Sequence, residues 1–204
     1  MEDQLTVVGL CGSLRKGSYS RIAMQIALEG AEAYGAQTEL LDLNEYELIF
    51  ADGKRADADL PPDVVRLRNK VKAANGVLLS TPEYHASFSG VIKNALDLMG
   101  FDEFEGKMIG LIGVAGGRMG AINALNSLRM VGRSLHAWVL PNQVSIPQAW
   151  KLFKDGDLQD AEIRARLVGL GTDVAKYALL HQSRQALEFL ESWEKLPENP
   201  GGED

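Results

Sequence analysis

The feature that most constrains this chain is an alternation. Short apolar runs stop at glycine, proline or polar clusters, and a stretch with helical spacing follows each. Residues 5–11 form the first run, which ends at Gly12. Residues 20–34 follow, with Ile22, Ile26 and Ala33 at roughly helical intervals and Gly35 just beyond. Strands are then expected over residues 38–43, 76–80, 107–115 and 138–140. Helices are expected from Pro61-Pro62 along the stripe Val64, Leu67, Val71 and Ala74, and over residues 91–99, 121–135 and 160–196, the last as one helix or two. Proline suits a first helical turn, where its missing N–H is not needed. Strict strand–helix alternation predicts an α/β fold with a five-stranded parallel sheet. Residues 44–59, polar and rich in Asp and Ala, read as a long loop.

Two doubly wound arrangements suit this pattern: the flavodoxin-like three-layer sandwich with strand order 2-1-3-4-5, and the dinucleotide-binding order. In both, ligands sit at the carboxyl ends of the strands, where the strand order reverses. The functional loops should therefore follow the first, third and fourth strands. The length of 204 residues suits one domain, taken as residues 1–196, with a Pro-, Gly- and acid-rich tail over 197–204 expected to fray.

The net charge is −7, which disfavours nonspecific binding to nucleic acid or an anionic membrane. No run approaches the roughly 18 apolar residues of a membrane span. Cys11 is the lone cysteine, so no intrachain disulfide forms. The acidic first residues lack the basic-then-apolar pattern of an export leader. A cytoplasmic protein is the expectation. His136 and His181 stand apart, and no metal-ligand cluster is expected.

The loop after the first strand reads Gly12-Ser13-Leu14-Arg15-Lys16-Gly17-Ser18-Tyr19-Ser20-Arg21. A helix N-terminus offers unpaired N–H groups to an anion. Ser13, Ser18 and Ser20 add hydroxyls, and Arg15 and Arg21 add planar charged donors suited to phosphate oxygens. An ordinary polar loop with a serine cap would carry several of the same residues. The segment is neither a Walker loop nor a Gly-x-Gly-x-x-Gly fingerprint. After the third strand, Pro82-Glu83-Tyr84-His85 brings a stiff exit, a ring able to wall a flat ligand, and two groups that serve either as rim or as acid and base. Lys93 and Asp97 are four apart on the polar side of the next helix. After the fourth strand, Gly116-Gly117-Arg118 is dense in glycine.

Taken together, these loops resemble the NADPH-dependent FMN reductase family of flavodoxin-like proteins, over about residues 6–147. The resemblance rests on Gly12-Ser13-Leu14-Arg15 with Ser18, Ser20 and Arg21, on Pro82-Glu83-Tyr84, on Gly90 with Lys93-Asn94-Ala95-Leu96-Asp97, and on Gly116-Gly117. It implies the 2-1-3-4-5 order. It implies FMN phosphate at Ser13, Arg15, Ser20 and Arg21, the ribityl chain and flavin against Pro82, Glu83, Tyr84 and His85, and the ring edge near Gly116, Gly117 and Arg118. The family usually carries Asn where this chain has His85, and many members carry Asn where it has Arg21.

The activity so implied is hydride transfer from NADPH or NADH to FMN, and on to a small acceptor: a quinone, free flavin, chromate or an azo compound. The cofactor does the redox chemistry, so no catalytic side chain is required. Arg118 either meets the phosphates of the nicotinamide cofactor or forms a surface pair. A flavodoxin-type electron carrier and a flavin-binding sensor are the competing readings. The phosphate loop differs from the carriers' Ser/Thr-Gly-Asn-Thr type, and no effector domain is appended. The resemblance also implies a homodimer or homotetramer. The stripe Ile163, Leu167, Leu170, Val174 and Tyr177 is expected to serve mainly as core, and Trp138, Trp150 and Trp193 as packing residues.

Overall fold

A computed structural model describes residues 4–53, 56–181, 188 and 190–192. The tail over 197–204 and Trp193 lie outside them. The elements in chain order are β1 (Thr6–Cys11), α1 (Tyr19–Tyr34), β2 (Gln37–Asp42), α2 (Pro62–Ala73), β3 (Gly76–Tyr84), β4 (Ser87–Phe88), α3 (Gly90–Asp97), α4 (Phe101–Phe104), β5 (Met108–Val114), α5 (Ile122–Ser134), β6 (Trp138–Ile146), α6 (Ala149–Leu152), β7 (Phe153–Lys154), β8 (Asp157–Leu158) and α7 (Ala161–His181). The long parallel strands run β2-β1-β3-β5-β6. This is the 2-1-3-4-5 order, with the two-residue β4 added antiparallel to the end of β3.

Two-residue alternation sends the strand side chains to two cores. Val7, Leu78 and Ile112 face α1 and α7. Val8, Leu10, Leu79 and Leu111 face α2, α3 and α5. Both faces are covered, which is why these strands read as unbroken apolar runs. Within the expected stripe, Ile163, Leu167, Leu170 and Val174 are buried, whereas Tyr177 is exposed.

Two strands outrun their expected ends. β3 continues from Ser80 through Pro82 to Tyr84. Its partner β1 stops opposite Ser80, so beyond that point one side of β3 has no β1 ladder to satisfy. A strand tolerates proline in that position. β6 continues through Pro141 to Ile146 because two extra residues bulge out between the pairs Ile109↔Val139 and Leu111↔Gln143. The Arg129 guanidinium holds the bulge, donating to the Leu140 carbonyl at 2.8 Å and to Gln143 Oε1 at 2.8 Å. An irregular edge strand is also a poor template for stray pairing.

α1 and α7 lie backbone against backbone. A Cβ on Gly30 would overlap the Val168 carbonyl, and one on Gly171 would overlap that of Ala27. Thr172 Oγ1 adds a hydrogen bond to the Gly30 carbonyl at 3.1 Å. Gly30→Ala or Gly171→Ala should therefore cost about 2–3 kcal/mol through overpacking. A lowered urea midpoint at unchanged slope would register it; a wild-type midpoint in both variants would contradict the close packing.

Candidate active site

At the carboxyl end of β1, Gly12 is held from both sides. Its N–H donates to the Ser80 carbonyl at 2.7 Å, and its carbonyl accepts from Ser89 Oγ at 2.5 Å. A Cβ there would sit 2.8 Å from Ile92 Cβ, so only glycine fits without displacing α3. Ser89 also caps α3 by accepting from the Ile92 N–H at 3.3 Å, and its own N–H donates to Thr81 Oγ1 at 2.9 Å. Ser18 caps α1 by accepting from the Arg21 N–H at 3.4 Å. Ser13, Ser18 and Ser20 are all buried.

After Pro82 the chain folds back as a hairpin, pairing Glu83 with Phe88 and Tyr84 with Ser87. His85 and Ala86 form its two-residue turn at φ 50° and 60°. Two consecutive left-handed residues are the mark of a type I′ turn. Asn, Asp and His tolerate that region better than most non-glycine residues, so His85 can stand where the family usually has Asn. Glu83 Oε2 accepts from the Ala124 N–H at 2.9 Å, in the first turn of α5. Its carboxylate is thereby engaged as a helix cap.

The glycine-rich loop is clasped by the chain leaving β6. Ala149 N–H donates to the Ala115 carbonyl at 3.0 Å, Gln148 N–H to Gly117 at 3.0 Å, and the Trp150 indole N–H to Gly116 at 3.3 Å. Gln148 is left-handed, at φ 45°. The sequence reading assigned Trp150 and Trp138 to packing; both are mostly exposed. Trp150 sits at the carboxyl end of the fifth long strand, which is where such folds place ligands, and that position was the signal to follow. The β7–β8 hairpin was also missed, although Asp155-Gly156 at its tip is a strong turn pair.

These loops enclose a cleft of about 310 Å³. Among the expected residues, Ser13, Arg15, Ser20, Pro82, Glu83, Tyr84 and Gly116 line it. Arg21 does not; its guanidinium pairs with Asp42 at 2.8 Å, at the end of β2. Nor do His85, at the hairpin tip, or Gly117 and Arg118. Tyr19, stacked on Phe153 at 4.6 Å, and Trp150 line it unexpectedly. Among the described residues, the hydroxyls of Ser13 and Ser20 and the Arg15 guanidinium have no protein partner. No atom lies within 4 Å of a Cβ built on Gly116. The fold itself does not demand glycine there.

The sequence profile of the NADPH-dependent FMN reductases matches residues 5–151. The chain belongs to this family. It is an NAD(P)H-dependent flavin enzyme, with FMN as cofactor and NAD(P)H as electron donor. Among related proteins, an NADPH azoreductase of Bacillus sp. (strain OY1-2) is 36% identical over 173 residues, spanning 84% of this chain and 89% of that one. An NAD(P)H-dependent FMN reductase of Pseudomonas aeruginosa is 36% identical over 170 residues, spanning 80% and 90%. Among solved structures, a flavoenzyme NAD(P)H:(acceptor) oxidoreductase from Paracoccus denitrificans superposes with a TM-score of 0.69 at 26% identity, covering 87% of this chain and 98% of that one. An archaeal flavodoxin, 12% identical with a TM-score of 0.60 and covering 85% and 99%, shares the fold.

Membership in this reductase family needs no nucleophile, and Cys11 offers none. It is fully buried, and burial pushes its thiol above the ordinary range. Among the described residues no group of three or more His, Cys, Asp or Glu is placed to hold a metal, and no helix is long and apolar enough to cross a membrane.

Two predictions follow from this geometry. Ala86→Gly should stabilise the hairpin by about 0.5–1 kcal/mol, because glycine removes the left-handed penalty at some entropic cost; thermal denaturation would show an unchanged or lowered Tm if the turn were not strained. For Cys11, the unfolded chain loses the thiol proton before the folded one does. Its contribution is therefore fully present below the ordinary thiol pKa and is lost as pH rises through the higher folded value. Wild type should lose stability relative to Cys11→Ala across that alkaline window in denaturant melts, and parallel pH profiles would refute the assignment.

Proposed function

We propose that this cleft is the FMN site, and that the enzyme passes electrons from NAD(P)H to small planar organic acceptors, azo compounds and quinones foremost. The observation that carries the assignment is the set of unpartnered donors. Ser13 and Arg15, in the loop that leads into α1, and Ser20, in its first turn, gather at one cleft. Ser13 and Ser20 are buried residues whose hydroxyls reach the cleft, Arg15 stands exposed beside them, and a phosphate would give all three a partner. The open side of Gly116 fits the same group, since a side chain there would fill space that a ring edge needs.

Ser13, Arg15 and Ser20 would hold the phosphate, and Pro82, Tyr84 and Gly116 the flavin. Arg21 serves the loop indirectly by tying α1 to Asp42. When bound, FMN supplies two-electron transfer, taking hydride from NAD(P)H and giving electrons to the acceptor. The chain's own part is to bind, orient and exclude. Glu83 lines the cleft and caps α5 through Oε2, and we assign it a positioning role. His85 lies at the hairpin tip, outside the cleft lining. Protons for the reduced acceptor come from solvent through the open mouth. The azo class is supported by the related NADPH azoreductase and by an FMN-dependent NADPH-azoreductase of Staphylococcus aureus, 32% identical over 166 residues.

Arg15→Ala should raise the Kd for FMN by about ten- to a hundredfold, the worth of a charge-assisted phosphate contact. Ser13→Ala should raise it by about three- to tenfold. Quenching of FMN fluorescence on titration into apoprotein measures both. Wild-type affinity in Arg15→Ala would remove the phosphate assignment. Anaerobic NADPH titration followed by an azo dye or a quinone tests the acceptor class: reduced flavin that neither compound reoxidises would exclude it.

A further inference from the structure

Trp150 is held in place without being buried. Three successive residues, Gln148, Ala149 and Trp150, donate to the carbonyls of Gly117, Ala115 and Gly116. Gln148 takes a left-handed backbone to achieve this, and such strain persists only where the surroundings over-determine it. Yet the Trp150 side chain remains 61% exposed and lines the cleft. A tryptophan fixed this way returns little burial to the fold. Its fixed position is useful to a flat molecule arriving from solvent.

A cation lies beside the ring. Lys151 Nζ lies 5.0 Å from the centre of the Trp150 ring. Among the described residues Lys151 has no carboxylate partner, and neither have Arg15, Lys16 and Arg118 on the adjoining loops. Several other cations are paired, as in Arg21–Asp42, Lys70–Glu39 and Lys93–Asp97. In a chain of net charge −7, four of the cations that lack a carboxylate partner, Arg15, Lys16, Arg118 and Lys151, stand on loops beside the cleft, with Arg15 in its lining.

Building on the reading of this cleft as the flavin and acceptor site, we propose that Trp150 and Lys151 form an acceptor subsite for planar aromatic molecules bearing an anionic substituent, such as a sulfonate or carboxylate. Trp150 stacks the ring and Lys151 meets the anion. The reaction served is unchanged in balance. NAD(P)H gives up a hydride, solvent gives a proton, a quinone takes both and becomes the hydroquinone, and NAD(P)⁺ leaves.

The test compares 1,4-naphthoquinone with its 2-sulfonate in the FMN-loaded enzyme, using NADPH as donor. Taking the ratio of kcat/KM, sulfonate over parent, in each variant cancels the intrinsic difference between the quinones. Lys151→Gln should lower that ratio about three- to fivefold, and Lys151→Glu about tenfold, as expected for an exposed charge contact. Added salt should lower the wild-type ratio and leave that of Lys151→Gln nearly level. Trp150→Ala should lower kcat/KM for both quinones, and Trp150→Phe should restore most of the loss. Flavin absorbance of each variant shows that it is folded and loaded. A ratio that Lys151→Glu does not move, or a Trp150→Ala effect confined to KM for NADPH, would overturn the subsite. Failure of NADPH to bleach the wild-type flavin would instead overturn the underlying assignment of the cleft, so the two failures are distinct.

Discussion

The hydrogen bond from Ser89 Oγ to the Gly12 carbonyl joins loops 77 residues apart in sequence. The same hydroxyl caps α3, and Gly12 in turn holds the Ser80 carbonyl. The first loop, the end of β3 and the start of α3 thus share one small polar junction. Such a junction is strong because every member is satisfied and dry. It fixes where Ser13 begins and where Pro82 leaves the sheet, and so sets the spacing between two walls of the cleft. The third wall depends on the clasp between residues 148–150 and 115–117. Both devices use backbone carbonyls as anchors, which leaves the side-chain donors of Ser13, Ser20 and Arg15 free for a ligand.

Much of this was legible from residues alone. Strand runs buried on both faces announced themselves by unbroken apolarity, and the helices by their stripes. Ser13, Arg15, Ser20, Pro82 and Tyr84, which the fold brings to one cleft, could be picked out because hydroxyls, a guanidinium and a ring on loops at strand ends are recognisable chemistry. Other features were hidden for physical reasons. Pro82 and Pro141 looked like strand ends, since the missing N–H is visible in a sequence while the absence of a neighbouring strand is not. Arg21 looked like a phosphate ligand because its place in the first turn of α1 is right. Its guanidinium pairs with Asp42, on a strand whose register no local pattern reveals. Trp150 was misjudged as packing because large aromatics are usually buried, and its three-bond clasp connects segments more than thirty residues apart. Glu83 read as a rim or an acid–base group beside the flavin; that it caps a helix 41 residues onward depends on topology.

The meeting of α1 and α7 has a consequence in time as well as in space. α7 follows every strand in chain order, yet it is the element that covers Ala27 and Ala31 on α1. At ribosomal rates of about 5–20 residues per second, α1 emerges on the order of ten seconds before its partner. During that interval the glycine-floored groove of α1 is an open apolar strip on a nascent chain. The β1–α1 unit that bears Ser13, Arg15 and Ser20 is thus made well before α7 seals it.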